Sequence, residues 1–259
     1  MRPNRAKALM KAAQPALGTL CTTASPLMAE ALGYSGYDFL IVDLQHGENN
    51  LADVQGMLQA ISSTPAVPLV RVPANQAVYI QRALDLGAYG IVVPLVDNAR
   101  DAESIVESVR YAPAGRRSWG PVRGALYGGA DYFANAHAEL LTIVMLETAE
   151  GLANARSILG VPGIDGCFIG PNDLSVSLGF ASELADLPVP VEQAIETIVA
   201  ACAAAGTFAG IQTYSAAAAS RRIAQGFRFV SIQSDLRMAR SAATDILRAV
   251  REPATRANS

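Results

Sequence analysis

Eight short apolar runs, rich in β-branched residues, recur along the 259-residue chain at 16–22, 39–44, 68–72, 90–96, 141–146, 166–169, 207–213 and 227–233. Segments with helical spacing lie between them, at 25–32, 51–60, 76–86, 99–111, 151–159, 191–205 and 215–224. Strands this uniformly apolar are buried on both faces, as in a parallel sheet covered by helices. Several helices end in glycine just before the next strand (Gly33 or Gly36, Gly87, Gly206, Gly226), where a left-handed cap suits that residue. Eight such units in one chain of this length predict a closed (β/α)8 barrel, a TIM barrel. A doubly wound open sheet is the alternative, weakened because neither GxGxxG nor a P-loop follows the first strand. No linker or low-complexity stretch interrupts the pattern, so one domain over 1–259 is expected.

Composition narrows the partners. With 51% hydrophobic and 17% charged residues the chain has enough apolar surface for a large core. A net charge of −3 without like-charge blocks gives nucleic acid or an anionic membrane nothing to bind. The three cysteines, Cys21, Cys167 and Cys202, show neither zinc spacing nor a disulfide framework, and a reducing cytoplasm is the expected compartment. No apolar run is long enough to span a membrane. The basic start lacks the apolar centre of a signal peptide and reads as a leading helix, and the polar tail after Arg251 is expected to fray. Lysine occurs only at Lys7 and Lys11, ahead of the first strand. A Schiff-base mechanism needs a lysine in a desolvated pocket, so carbonyl chemistry on this chain would have to use a metal.

Candidate chemistry sits at the strand ends, because the loops after the strands form the active face of such a barrel. Two strands close on acids, Glu147 and Asp173, with a helix at 151–159 between them. Two carboxylates there suit a hard divalent cation, Mg²⁺, Mn²⁺ or Co²⁺; equally, each is placed to cap the helix that follows it. The second strand ends in Asp43-Leu44-Gln45-His46-Gly47, and alternation puts Asp43 and Gln45 on one side, Leu44 and His46 on the other. His46 is a natural general base near neutral pH, or a histidine satisfied by a backbone carbonyl. Arg71, inside an otherwise apolar strand, calls for an anion: a substrate carboxylate or enolate, or an ion pair with Asp43 or Glu147. His137 stands among polar residues and reads as exposed. Asp85 ends a helix on the wrong side of its own barrel and could reach a site only across a subunit interface. The stretch 113–137 is one long irregular insertion, a lid or subunit contact, holding Trp119, Arg116, Arg117 and Arg123. The turns after the seventh and eighth strands lack a glycine pair, so a phosphorylated substrate is not expected.

Taken together, Asp43…His46-Gly47, Val70-Arg71-Val72-Pro73, Tyr111-Ala112-Pro113-Ala114-Gly115-Arg116-Arg117, Leu146-Glu147-Thr148 and Phe168-Ile169-Gly170-Pro171-Asn172-Asp173-Leu174-Ser175 resemble the HpcH/HpaI aldolase family over residues 17 to 235. These are metal-dependent pyruvate aldolases built on a barrel of the phosphoenolpyruvate/pyruvate-binding type. The resemblance implies Glu147 and Asp173 as metal ligands and His46 as catalytic base, acting directly or through a water. It implies Arg71 as the group that stabilises an enolate oxygen, and the backbone at Asn172 and Asp173 as part of a pyruvate carboxylate cradle. Asp85 would raise the basicity of the histidine from a neighbouring subunit, in a homohexamer arranged as a trimer of dimers. The implied reaction is reversible cleavage of a 4-hydroxy-2-oxo acid to pyruvate, or a close analogue, and an aldehyde.

Two positions depart from the family pattern. Met145 stands where a substrate-touching glutamine is usual, and Gln45 where glutamate is common. Asp43, Gln45, Met145 and Arg123 are therefore expected around the site rather than in the chemistry. Two other functions are compatible with the fold. A CoA-thioester lyase of the citramalyl/malyl-CoA type would need a basic groove, for which only Arg116, Arg117 and Arg123 are available. A barrel that binds a keto acid without turning it over would not need the base, arginine and acids that this chain keeps.

Overall fold

In the computed structural model, which describes residues 1–182 and 186–251, eight strands close into a parallel barrel in sequence order. They are β1 (Ala16–Cys21), β2 (Phe39–Asp43), β3 (Val67–Arg71), β4 (Gly90–Val93), β5 (Leu141–Met145), β6 (Gly166–Ile169), β7 (Phe208–Thr213) and β8 (Phe229–Ser234). The last strand closes the barrel on the first, with Ala16 beside Phe229 and Gly18 beside Ser231. The expected (β/α)8 architecture is the observed one. The polar tail expected to fray lies outside the described residues.

Strand alternation divides the core in two. Leu40, Val42, Val70, Ile91, Val93, Val144, Cys167 and Ile169 pack outward against the helices. Phe39, Ile41, Leu69, Val92, Leu141, Ile143, Met145, Phe168 and Phe229 fill the interior. Phe39 and Phe229 stack at 4.1 Å between ring centroids, and Phe168 meets Phe229 edge-on at 5.6 Å. Rings of this size fit because facing positions carry no side chain. A Cβ on Gly18 would lie 2.2 Å from Phe39 Cε2, and one on Gly166 would lie 2.4 Å from Phe208 Cδ2. This floor fills the barrel, so ligands are left only its rim.

Three sequence expectations are corrected. The segment 113–137 is not irregular throughout: it holds the helix Val122–Gly128 and the start of another, Tyr132–Glu139. Aromatic burial of Tyr132, rather than a long apolar face, organises it. The helix expected at 151–159 is two short ones, Ala149–Ala153 and Ala155–Leu159, broken at Asn154. His137 is half-buried: its Nε2 accepts the Tyr111 N–H at 2.9 Å, and burial, then Arg110 and Arg117, hold its pKa below the usual value. The leading helix is present as Arg5–Lys11. The helix expected after Asp173 is Pro171–Ser177 and already includes that acid in its first turn, whereas Asp235–Arg251 went unanticipated. Asp235–Arg251 buries only Asp235 and leaves Leu236, Ile246, Leu247 and Val250 exposed, so its apolar residues, although helically spaced, are not turned to the core. Among the described residues no helix is long and apolar enough to cross a membrane.

The glycine–aromatic fit has a measurable consequence. Gly18→Ala forces Phe39 to move and should lower stability by about 1–3 kcal/mol. Gly120→Ala, with nothing within 4 Å of its new methyl, should stay near wild type. Thermal melts of the two variants check this, and equal melting temperatures would contradict it.

Candidate active site

The third strand ends on Arg71, and the second ends beside it on Asp43, in register. The carboxylate grips the guanidinium at both oxygens: Nε donates to Oδ1 at 2.8 Å and Nη2 to Oδ2 at 2.6 Å. Asp43 is fully buried and Arg71 nearly so. Of the partners open to Arg71, the ion pair with Asp43 is therefore made, yet it occupies only one edge. The Nη1 edge faces Met145 Sδ at 3.9 Å, a weak acceptor that leaves the Nη1 donors without a strong partner there.

Asp43 also shapes the histidine turn. Its Oδ1 accepts the N–H of Gln45 at 3.0 Å and of His46 at 3.4 Å, so strand alternation stops at Asp43. Gly47 makes the turn possible, since a Cβ there would lie 2.5 Å from Asp43 O and 2.8 Å from Thr22 O. His46 is exposed on this turn. Gln45 is half-buried, with no partner for its Oε1 among the described residues.

Glu147 follows β5 and Asp173 follows β6, and neither is a helix cap. Thr148 caps Ala149–Ala153 by accepting the Gly151 N–H, and no side chain caps Pro171–Ser177. Glu147 is 2% exposed, while Asp173 is open to solvent in the first turn of its helix. The two converge on the gap left by a missing side chain. The position a Cβ on Gly170 would take lies 2.8 Å from Glu147 Oε2 and 3.0 Å from Asp173 Oδ2, with Met145 Cε at 3.4 Å. Glu147 Oε1 points elsewhere and accepts the Leu95 N–H at 2.9 Å. Leu95 has φ +55°, a left-handed conformation that costs an L-residue about 1–3 kcal/mol.

Burial pushes the Glu147 carboxyl up to about 7. The Leu95 N–H opposes that rise, Asp173 adds to it, Arg71 opposes it and Asp97 adds to it. Two acceptor oxygens held around one gap, one of them on a carboxylate kept short of solvent, fit a hard cation. Among the described residues no three His, Cys, Asp or Glu side chains gather as a metal cluster, so the remaining positions of such a cation would fall to water and substrate.

Other expected residues lie apart from this cluster. Asn172 adjoins it, its Nδ2 donating to Tyr214 Oη at 3.0 Å beside a cavity of about 360 Å³ between the turns after β6 and β7. Asp85 ends the helix Ala77–Asp85 at the opposite end of the barrel and accepts from Arg117 Nη2 at 2.8 Å. Arg123, expected around the site, is instead on Asp85's side. Its Nη1 donates to Leu86 O at 2.7 Å and its Nη2 to Ser62 Oγ at 3.0 Å. Arg117 is buried between Tyr111 and Tyr132, and Arg116 pairs with Glu107, so the insertion's arginines form no open basic groove. Lys7 is buried against Asp165 at 2.8 Å, away from the rim, and Lys11 is exposed in the leading helix. Sequence reasoning missed Leu95 and Gly170 as parts of the site. Nothing in the local sequence marks Leu95; Gly170 precedes Pro-Asn-Asp, a turn signal without a stated role.

The profile of the HpcH/HpaI aldolase/citrate lyase family matches residues 18–242. The chain belongs to this family. It is 37% identical to a hydroxypyruvate/pyruvate aldolase of Rhizorhabdus wittichii, over 94% of this chain and 97% of that protein. It is 36% identical to a 5-keto-4-deoxy-D-glucarate aldolase of Klebsiella pneumoniae, over 93% of this chain and 94% of the relative. The crystal structure of a family member from Burkholderia cenocepacia J2315 superposes with a TM-score of 0.89 at 34% identity, covering 96% of this chain and all of that one. Family and named relatives make the protein a carbon–carbon lyase.

The raised carboxyl predicts a pH-dependent stability. A folded pKa above the unfolded value means that the metal-free fold loses stability as pH rises from about 4.5 through 7. Glu147→Gln removes that penalty and keeps an acceptor for Leu95. Metal-free Glu147→Gln should therefore exceed wild type at pH 8 by on the order of 3 kcal/mol, a gap that narrows toward pH 5. Chemical denaturation in chelator at both pH values measures it; an unchanged gap would contradict the electrostatic assignment.

Proposed function

We propose that this chain is a divalent-metal-dependent aldolase that cleaves 4-hydroxy-2-oxo acids to pyruvate, or a close analogue, and an aldehyde, and also runs the reverse addition. The convergence of Glu147 Oε2 and Asp173 Oδ2 on the gap at Gly170, with Met145 between that gap and the Arg71 guanidinium, carries this reading. Glu147 and Asp173 would hold the cation. When bound, it supplies Lewis-acid polarisation of a keto oxygen. The positions of both lysines support a metal route over an enamine one, since neither is at the rim.

The chain's own residues then have separable tasks. His46 takes the proton of the C4 hydroxyl in cleavage; the C3–C4 bond breaks, the aldehyde leaves, and its electron pair becomes the enolate of the 2-oxo acid. The same base returns a proton to C3, giving the methyl group, and in condensation it removes that proton. Arg71, immobilised by Asp43, offers its Nη1 edge where the enolate oxygen gains charge. The backbone at Asn172 and Asp173 receives the substrate carboxylate. Met145 lines the floor between Arg71 and Gly170 and donates no hydrogen bond, which makes this floor less polar than a glutamine would. Asp85 can serve His46 only from a second copy, so the same reading takes the working form to be a homohexamer, a trimer of dimers.

Activity should require Mg²⁺, Mn²⁺ or Co²⁺, vanish with chelator, and be absent in Glu147→Ala. Full turnover in metal-free buffer would refute the assignment. Arg71→Ala should lower kcat by about 10²–10³, with a smaller change in KM, if the guanidinium acts like a single oxyanion-hole donor. Exchange of pyruvate methyl protons in D₂O separates turnover from mere binding: metal-dependent exchange is expected, and binding without exchange would favour a keto-acid sensor.

A further inference from the structure

The loop 94–98 leads from β4 into the helix Ala99–Val109 and is pinned to the turn after β5. Thr148 Oγ1 donates to Asp97 Oδ1, and Asn154 Nδ2 donates to Asp97 O at 2.8 Å. Val96 O packs where a Cβ on Gly151 would lie, 2.9 Å away. Between these anchors Leu95 takes φ +55° and is 57% exposed. Burial does little to maintain this conformation, because the residue is exposed. The left-handed region is one that leucine resists. The conformation coincides with one contact the rim uses: the Leu95 N–H aimed at Glu147 Oε1, 2.9 Å away. With Oε1 so occupied, Oε2 is the oxygen left facing Asp173 Oδ2 across the Gly170 gap.

We propose that Leu95 is a positioning residue for the cation site: its backbone N–H holds Glu147 Oε1, so that Oε2 alone is presented to the cation beside Asp173. The assignment rests on the metal-dependent reading above. A partner that orients a ligand in this way controls affinity without touching the metal. It also explains why an exposed leucine can occupy the position, since the backbone rather than the side chain performs the task.

Mn²⁺ titration of the full chain without substrate, followed by electron paramagnetic resonance of free Mn²⁺, tests it. Leu95→Ala keeps the N–H and should bind as wild type does. Replacing the residue-95 amide by an ester, through incorporation of leucic acid, removes the N–H while keeping the side chain and should weaken binding by about tenfold or more. A folded ester variant that binds Mn²⁺ like wild type would overturn the assignment. Should the ester disturb the loop, hydrogen exchange on the unaltered protein gives the answer. The Leu95 amide should be protected, should remain so at saturating Mg²⁺, and should lose protection in Glu147→Ala. Loss of protection on adding Mg²⁺ would mean that Oε1 turns to the cation, and would overturn it too. If wild type binds neither ion, the metal-dependent reading itself falls, and this assignment with it.

Discussion

The Asp43 carboxylate, buried at the end of β2, organises the rim by gripping Arg71 through both oxygens while accepting two backbone N–H groups from the turn that carries His46. Removing two charges from water costs several kcal/mol per ion, so such a pair is poor support for stability alone. Its geometry is the useful part. A bidentate fork fixes a planar guanidinium in orientation as well as position, which a lysine could not reproduce. One carboxylate thus sets the direction of a fixed cation and the path of the histidine turn. Beneath them the aromatic floor fills the barrel interior, which leaves the strand ends as the face open to a ligand.

Opposing forces meet at Glu147. Burial favours its neutral form, and Asp173 and Asp97 push the same way, while the Leu95 N–H and Arg71 favour the carboxylate. The chain tolerates a poorly solvated acid, a left-handed leucine and an arginine inside the barrel within a few side chains of one another. Folds depart from local preference in this manner where a ligand is to be bound, and surrounding contacts must hold the unfavourable groups in place. Here those contacts are Asp97 with Thr148, Asp97 with Asn154, and Val96 against Gly151. Gly170 completes the arrangement by what it lacks, for any side chain there would occupy the space that the two acids share.

How far this could be read without coordinates depends on the range of each interaction. The eight strands were legible because strands buried on both faces are apolar throughout, and the glycines between them mark chain reversals. Glu147, Asp173, His46 and Arg71 stood out as candidates because an acid, a histidine or an arginine at the end of an apolar run differs from its neighbours, and their roles came only from the resemblance to the family. The helix Asp235–Arg251 was overlooked although its apolar residues are helically spaced; that they face away from the core is visible only in the structure. Arg123 misled because its residue type suits an active site, whereas its partners, Leu86 O and Ser62 Oγ, are visible only in three dimensions.

The eight strands, most of the helices between them and the ionisable groups at the strand ends were legible from the chain alone, for these follow from period and composition, which are local; the pairing of β8 with β1 decided for a closed barrel over an open sheet. Tertiary structure alone decided which edge of Arg71 is spent on Asp43, that neither acid caps a helix, and which oxygen of Glu147 faces Asp173. Those choices turn on contacts between residues as far apart in sequence as Leu95 and Glu147. A local pattern carries no information about a distance of a few ångströms between distant strand ends, and the chemistry of a site at a barrel rim is set by such distances.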